Sequence, residues 1–358
     1  MSLRKGTFIM LFKKSRYILM SKWKKITLKA LIALSLTTVS IYYFSPWEYG
    51  LYYLKPIPNS IEKEIQQAND YGLVGMIVYV DGGNNVSQLY ASGWHNREQK
   101  RPAYGNALFK IASIAKLYEA SAVAKLTAAK ILNLDNTLAS YLPELTSRIA
   151  YADKITLRMM VQHRSGIPNF TDQAGFDWAS NSLDDIRLVL DKPADFLPGE
   201  DYAYSNTNYR LLQKVMTRAL GYDYTDYIRN EILLPLDLHD TYFSIHEAPT
   251  NEIMSGYYVG YKEDFKHLDQ GFVASAHNVG VFLRALNDGT LFTEQERKIY
   301  SSIYEYNHTG WVLGYSSIAR YHKDIDTVVV QLTNITGNDK VLLTQIVYAR
   351  IMSILRNE

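Results

Sequence analysis

Residues Ile111 to Leu134 read IASIAKLYEASAVAKLTAAKILNL, a stretch that is dense in Ala and Leu and apolar on nearly every face of a helix. A surface helix carries a single apolar stripe, whereas a helix that is apolar all round lies buried inside a fold. The stretch therefore predicts a buried central helix, with the rest of the chain packed around it.

Segments with strand chemistry lie on both sides of this helix. Gly72 to Val80 and Val86 to Ala91 are β-rich and flank Asp-Gly-Gly-Asn, which predicts a hairpin. Gly310 to Tyr321 and Thr327 to Leu332 are separated by charged residues and predict a second hairpin. Val341 to Leu355 then closes the chain with a helical pattern.

The middle of the chain, from about residue 135 to 295, is helical in pattern, with loops marked by Pro and Gly. Tyr209 to Leu220 is predicted to end at Gly221, and Val279 to Leu286 near Gly289. Strands at both ends of a helical insertion predict an α/β (α+β) fold. We expect one antiparallel sheet flanked by terminal helices and carrying an inserted helical lobe.

Composition narrows the classes of function. The 358 residues include no cysteine, which excludes disulfides, thiolate metal sites and a cysteine nucleophile. Residues 1–47 hold nine Lys or Arg and no acidic residue, which leaves 29 basic against 36 acidic side chains in the rest. A mildly acidic body is a poor binder of nucleic acid, because phosphate backbones require clustered positive charge.

The N-terminal region is predicted to direct export. A basic segment, residues 1–25, precedes residues 26–44, an apolar run whose only charge is Lys29. The run is either an uncleaved transmembrane anchor, as the aromatic residues after it suggest, or a signal segment cleaved after Thr38-Val39-Ser40. Both alternatives place the body outside the cytoplasm, with residues 45–60 as a linker and residues 61–358 as the main domain.

Ser113 and Lys116 form a Ser-x-x-Lys string at the start of the buried helix. Unpaired N–H groups and the helix dipole there favour developing negative charge. Lys116 lies three residues on, hence on the same face. In a desolvated pocket its amine could accept the serine proton. The alternative is structural: Ser113 caps the helix and Lys116 extends to solvent.

Two further strings follow in the chain. Tyr204-Ser-Asn206 lies in a loop before the Tyr209 helix, where a phenol can relay a proton and an amide can hold a substrate carbonyl or the lysine. The alternative is that Asn206 or Thr207 caps that helix. His308-Thr309-Gly310 precedes a strand predicted to begin at Trp311, and its glycine would let a substrate lie against that strand. A surface histidine in a turn is the alternative.

Other signatures are missing from the sequence. It contains no His-Glu-x-x-His metal motif, no Gly-x-Ser-x-Gly nucleophile elbow and no glycine-rich phosphate loop. No cofactor is therefore expected.

Together the three strings resemble those of the serine penicillin-recognising superfamily, nearest to its class C β-lactamase-like and D,D-carboxypeptidase-like branch. The resemblance extends over residues 60–355 and includes five segments: FKIASIAK (109–116), LASYLPE (138–144), ITLRMMVQHRSGIP (155–168), PGEDYAYSN (198–206) and LPLDLHDT (234–241). It implies a β-lactamase/transpeptidase-like fold.

The resemblance also implies roles for individual residues. Ser113 would be the acyl-enzyme nucleophile, Lys116 its proton acceptor and Tyr204 a proton shuttle. Substrate would be held by Asn206, His308, Thr309 and Gly310, and the backbone N–H groups of Ser113 and Trp311 would form the oxyanion hole.

Three positions depart from the family pattern. His308 replaces a lysine, Arg164 stands where threonine is usual, and Trp311 is bulkier than the common residue. These departures argue against efficient β-lactam hydrolysis. With an ordinary pKa near 6.5, His308 would also lose its positive charge, and its attraction for a substrate carboxylate, between pH 6 and 8.

The sequence thus predicts an exported, membrane-anchored or secreted serine hydrolase. Its substrate would be a small molecule or cell-wall peptide: a D-amino-acid peptide, amide or ester, as for a D,D-carboxypeptidase, D-aminopeptidase or esterase. The alternatives are a penicillin-binding sensor or binding domain with little or no turnover, and a weak β-lactamase.

Overall fold

The computed structural model describes residues 22–44, 46–83, 86–180 and 185–357. Apart from its last four residues, the basic segment 1–25 lies outside the described residues, as does Asn84 of the first predicted turn. The chain divides into two compact units with the boundary between Tyr52 and Tyr53.

Helices and strands alternate along the chain in the following order. The helices are α1 (Lys22–Phe44), α2 (Trp47–Leu54), α3 (Ile61–Asp70), α4 (Ala115–Ala128), α5 (Leu138–Tyr141), α6 (Leu157–Val161), α7 (Asn206–Leu220), α8 (Tyr224–Ile228), α9 (Ala276–Asp288), α10 (Glu294–Ser301) and α11 (Lys340–Leu355). The strands are β1 (Gly75–Asp81), β2 (Gln88–Asn96), β3 (Arg101–Pro102), β4 (Leu108–Lys110), β5 (Thr241–Tyr242), β6 (Tyr257–Tyr258), β7 (Val273–Ser275), β8 (His308–Val312), β9 (Tyr315–His322), β10 (Thr327–Thr333) and β11 (Ile335–Thr336).

In the N-terminal unit, α1 contains Ile26–Tyr43, a span that is long and apolar enough to cross a membrane by length and composition. A signal sequence passes the same test. The predicted linker 45–60 contains α2, Trp47–Leu54. Pro46 is compatible with this helix, because a proline just before the first helical turn costs no hydrogen bond there.

The main sheet joins the two ends of the second unit, residues 53–358, as the sequence predicts. Its strands lie in the order β3-β2-β1-β10-β9-β8, and all of its pairs are antiparallel. The central pair joins β1 from near the start of this unit to β10 from near its end, with Ile77 opposite Leu332 and Tyr79 opposite Val330. The predicted fold class is therefore confirmed.

Helices cover both faces of this sheet. On one face α3 and α11 pack together, and Arg350 Nε donates to Glu64 Oε1 at 2.8 Å while both side chains are buried. On the other face α9 approaches β1 so closely that a Cβ at Gly280 would lie 2.1 Å from the Tyr79 ring. With cover on both sides, every residue of β10 is buried.

Two boundaries differ from the sequence expectation. Gly310 to Tyr321 is a hairpin rather than one strand, because β8 and β9 are separated by a two-residue turn whose Gly314 has φ +83°. The buried helix is confirmed but shorter than its apolar pattern. α4 ends at Ala128, and Leu132 and Leu134 are buried without being helical. By contrast, α7 and α9 end at Gly221 and Gly289, both with positive φ, as predicted.

Candidate active site

Ser113 lies in a single 3₁₀ turn, Ala112–Ile114, that leads directly into α4. Ala112 has φ +50°, a left-handed conformation that is strained for alanine and characteristic of functional sites. The turn is held from outside: Ser317 Oγ of β9 donates to the Ile111 carbonyl at 3.1 Å. The N-cap of α4 is Ile114, without a side-chain cap, so the alternative that Ser113 caps this helix does not apply.

Lys116 is buried beside Ser113 instead of extending to solvent. Its side chain is 7% exposed, and its Nζ lies 3.3 Å from Ser113 Oγ and 2.9 Å from Asn206 Oδ1. The rings of Tyr204 and Tyr209 also face the ammonium position, at 5.1 and 5.3 Å from their centroids. Ser113, Asn206 and the two tyrosine rings thus hold the Lys116 amine beside the serine hydroxyl.

Tyr204 and Asn206 reach the same point from the helical lobe. Tyr204 Oη donates to Ser113 Oγ at 2.8 Å, across 91 residues of sequence. Asn206 is the first residue of α7, while Ser205 is its N-cap, so Asn206 does not cap the helix and its side chain is engaged by Lys116. The structure therefore brings together the four residues Ser113, Lys116, Tyr204 and Asn206.

His163, which the sequence offered only inside a resembling segment, supports Tyr204 from behind. It is 3% exposed, and its ring lies 4.4 Å from the Tyr204 ring. Its Nδ1 accepts the Ser205 N–H at 3.2 Å. Burial, together with the nearby Lys116 charge, lowers its pKa to about 3, so the imidazole is neutral and packs against the phenol without adding charge.

His308 is placed near the serine but is neither a surface residue nor an exposed cation. Its side chain is 7% exposed and stacks on Tyr304, whose hydroxyl donates to Nε2 at 3.0 Å. Its Nδ1 donates to the Thr309 carbonyl at 2.5 Å, so both ring nitrogens already have partners. Burial lowers its pKa to about 4, so the expectation of an ordinary histidine titrating between pH 6 and 8 is wrong.

β8 also places backbone groups beside the Ser113 turn. Val312 lies opposite Tyr315 at the two-residue turn, which is the hydrogen-bonded position of such a hairpin. By the alternation of antiparallel pairs, Trp311 and Ser316 then occupy a non-hydrogen-bonded position. Because β8 is the outer strand of the sheet, the Trp311 N–H points to the open edge. A Cβ at Gly310 would lie 2.4 Å from the Ile111 carbonyl, so only glycine lets this edge approach the Ser113 turn.

A cavity of about 170 Å³ opens beside Ser113 and runs between α4 and α7. Aromatic side chains form much of its wall, and Glu119 and Gln213 line it as well. Apart from the motif positions, no residue that lines this cavity was predicted from the sequence to belong to the site. A signal was present for Glu119, because it is an acidic residue in a stretch that is otherwise almost wholly apolar.

No group of three or more His, Asp or Glu side chains is arranged to hold a metal ion anywhere in the described ranges of the chain.

Known proteins of similar sequence and structure carry the same fold. The D-amino acid amidase from Ochrobactrum anthropi SV3 superimposes with a TM-score of 0.74 at 20% identity, over 84% of this chain and 98% of that one. A D-stereospecific amidohydrolase from Streptomyces sp. superimposes with a TM-score of 0.68 at 20% identity, over 82% and 98%. Penicillin-binding protein 4* of Bacillus subtilis (strain 168) is 27% identical over 173 residues, 47% of this chain and 37% of that protein.

The class of protein that these findings define is the β-lactamase-related serine hydrolases. A model of the Beta-lactamase family matches residues 61–303, and the chain belongs to this family. It spans less than half the length of the curated relatives that it matches.

Proposed function

We propose that the protein hydrolyses an amide or ester of a D-amino acid, through an acyl-enzyme on Ser113. One observation carries the proposal. Ser113 Oγ accepts a hydrogen bond from the Tyr204 hydroxyl at 2.8 Å and lies 3.3 Å from Lys116 Nζ. In this pocket the lysine is nearly inaccessible to solvent. A serine with two adjacent groups able to move its proton is the arrangement that nucleophilic catalysis requires.

Acylation follows from this arrangement. Lys116, as the free amine, accepts the Ser113 proton while Oγ bonds to the substrate carbonyl carbon. The N–H groups of Ser113 and Trp311 then stabilise the oxyanion, since neither is committed to a helix or strand partner in the arrangement described. Tyr204 donates its proton to the leaving nitrogen or oxygen, and the proton held by Lys116 restores the phenol as the bond breaks.

Deacylation reverses these roles with water as the nucleophile. Tyr204 takes a proton from the attacking water as the water oxygen bonds to the acyl carbon, and it passes its own phenolic proton to the Lys116 amine in the same step. Lys116 returns a proton to Ser113 Oγ as the ester bond breaks, which releases the acid. Asn206 holds Lys116 in place throughout through the 2.9 Å contact with its Oδ1.

His308 supports a substrate that lacks a carboxylate at this position. A lysine there would offer a permanent cation, but the buried imidazole is neutral at physiological pH and both of its nitrogens are occupied. A free C-terminal carboxylate, or the carboxylate of a penicillin, would therefore meet no ionic partner from this residue. The D-amino acid amidase and the D-stereospecific amidohydrolase that share the fold support a D-configured amide.

The test uses two N-acylated D-alanyl-D-alanine substrates that differ only in the C-terminus, one free and one amidated. The amidated peptide should have the higher kcat/KM, and KM of both should stay within about twofold from pH 6 to 8. The reason is that an imidazole with a pKa of about 4 gains its charge only as the pH falls toward 4. The all-L peptides serve as the stereochemical control.

Three outcomes would contradict the proposal. Preference for the free carboxylate, with a KM that rises through pH 6 to 8, would indicate a carboxypeptidase in which His308 is charged. A stable adduct with a fluorescent penicillin and no turnover of either peptide would indicate a penicillin-binding sensor. Equal rates on all-L peptides would exclude the D-specific assignment.

The proposal includes an extracytoplasmic location. It rests on the basic residues 1–25, on the apolar helix α1 and on the family of the body, which spans residues 61–358. In intact spheroplasts, added protease should remove the body, and mass measurement should show whether the chain begins near Ile41 or retains α1. A body that resists protease until the spheroplasts are lysed would place it in the cytoplasm.

A further inference from the structure

The cavity beside Ser113 is lined by residues of α4 and α7. Ser113, Lys116 and Glu119 follow one another at three-residue intervals along α4 and the turn before it, and all three line the cavity. Six residues of helix advance about 9 Å, so Glu119 lies about that far from the nucleophile along the helix axis. Gln213 of α7 stands at the same depth, because its Nε2 donates to Glu119 Oε1 at 2.6 Å.

Aromatic side chains form much of the lining of the cavity that contains Ser113 and Glu119. Trp178 packs edge-to-face against Trp311 at 5.1 Å and against Phe176 at 4.9 Å. Phe170, Phe243 and Phe272 line the same space. Its volume of about 170 Å³ compares with the roughly 150 Å³ of an apolar cavity that holds one benzene molecule. The space therefore suits one six-membered ring with a small substituent.

Glu119 is an unusual residue for the far end of such a cavity. It is 3% exposed, and burial raises the pKa of its carboxyl against the opposing effects of the Lys116 charge, the Gln213 hydrogen bond and the Arg210 charge. Its Oε1 is engaged by Gln213, but no residue in the described part of the chain donates a hydrogen bond to its Oε2. Because Glu119 lines the cavity, a ligand in the cavity can supply the donor for this oxygen.

We propose that this cavity binds the side chain of the substrate's acyl residue and selects an aromatic ring with an uncharged hydrogen-bond donor at its tip, as in D-tyrosine. The inference rests on the proposed function and specifies the substrate of the same site. Glu119 Oε2 accepts the phenolic hydroxyl, and the aromatic wall encloses the ring.

The positions of the proton-transfer groups assign the cavity to the acyl side. Tyr204, which protonates the leaving group, does not line the cavity, whereas Ser113, Lys116 and Asn206 do. The leaving group must lie toward Tyr204 Oη to receive its proton. The acyl residue, on the other side of the scissile bond, then directs its side chain between α4 and α7.

Charge excludes a basic side chain as the preferred occupant. Lys116 and Arg210 both line the cavity with Glu119, and both act electrostatically on its carboxyl. Arg210, and Lys116 once it has taken the Ser113 proton, would oppose an incoming ammonium group. A phenol supplies a donor without adding a charge, and its ring satisfies the apolar wall.

The experiment compares amides of D-tyrosine, 4-methyl-D-phenylalanine, D-phenylalanine and D-alanine on the purified full-length chain. D-Phenylalanine amide should exceed D-alanine amide in kcat/KM by about ten- to a hundredfold, the range for burying a phenyl group. D-Tyrosine amide should exceed the methyl analogue of equal size by about tenfold, as one well-formed hydrogen bond predicts. Equal kcat/KM for D-tyrosine amide and its methyl analogue would overturn the role of Glu119.

The matched variant replaces both members of the polar pair, Glu119→Leu with Gln213→Leu, so that neither is left buried without a partner. In this variant the ratio of D-tyrosine amide to its methyl analogue should fall to about one. The ratio within one variant cancels any general loss of activity through Lys116. A variant that keeps the tenfold preference would show that another group recognises the phenol.

Failure of the inference and failure of the proposed function give different results. Hydrolysis of all four amides with equal kcat/KM would retain the function and reject the cavity as a side-chain site. If none is hydrolysed, protection of Ser113 from a fluorophosphonate probe still tests the cavity, because binding needs no turnover. D-Tyrosine amide should then protect at a concentration about tenfold lower than 4-methyl-D-phenylalanine amide, and equal protection would reject the inference.

Discussion

Replacing Ser113 with Ala should abolish hydrolysis and labelling by a fluorophosphonate probe. Loss of a serine nucleophile typically lowers kcat by four or more orders of magnitude, because the acyl-enzyme can no longer form. The fold should persist, since the change removes one hydroxyl from a turn between Ala112 and Ile114 and leaves α4 intact. Mass spectrometry of the labelled protein and the thermal unfolding midpoint are the two measurements.

Ser121→Ala on α4 is the matched control. Its hydroxyl is fully buried and donates to the Leu117 carbonyl one turn back, about two turns of helix from Ser113. Activity and labelling of this control should stay within about twofold of the original protein. Labelling that survives in Ser113→Ala would assign the nucleophile to another residue and reject the mechanism proposed above.

Replacing Lys116 with Met should lower kcat/KM by at least about a hundredfold, the usual effect of removing a general base. Methionine keeps an unbranched chain of similar length, so the space between α4 and the Tyr204 and Tyr209 rings stays filled. The amine is lost, and with it the group 3.3 Å from Ser113 Oγ that accepts its proton. The rate of acylation by the fluorophosphonate probe should fall in parallel, which separates loss of proton transfer from loss of substrate binding.

Lys125→Met supplies the control for charge and for the helix. Lys125 lies on α4 as well, but it pairs with Glu296 of α10 at 3.5 Å, far from the nucleophile. Its replacement should change kcat/KM by less than about twofold. A loss below tenfold for Lys116→Met would mean that another group accepts the serine proton, with Tyr204 the first candidate because of its 2.8 Å contact.

Much of the candidate site could be predicted from the sequence because its residues lie in short sequence motifs. The serine and the lysine are three residues apart, so a helix alone places them on one face. The buried character of α4 followed from its composition, and a single antiparallel sheet followed from strand patterns at both ends of the body, whereas the pairing of β1 with β10 came only from the structure. Gly221 and Gly289 ended helices where a left-handed residue was expected.

The turn inside Gly310 to Tyr321 shows where pattern reasoning failed. Trp311, Val312 and Tyr315 are all compatible with one continuous strand, and the sequence preference for strand does not reveal a reversal of direction. The reversal depends on Gly314 at φ +83°, packed against the backbone of Gly256. That contact joins residues far apart in the chain, so the local sequence around Gly314 does not reveal the contact.

The sequence by itself determined the fold class and the buried helix, because composition and periodicity act over a few residues, and its resemblance to the penicillin-recognising superfamily indicated the residues around Ser113. Only the tertiary structure decided which of them are solvated and what they face. His308 is neutral because Tyr304 and its neighbours exclude water from it, and Glu119 faces a cavity because α7 and a ring of aromatic side chains enclose that space. Solvation and enclosure depend on atoms brought together from distant parts of the chain, and these contacts exist only once the chain has folded.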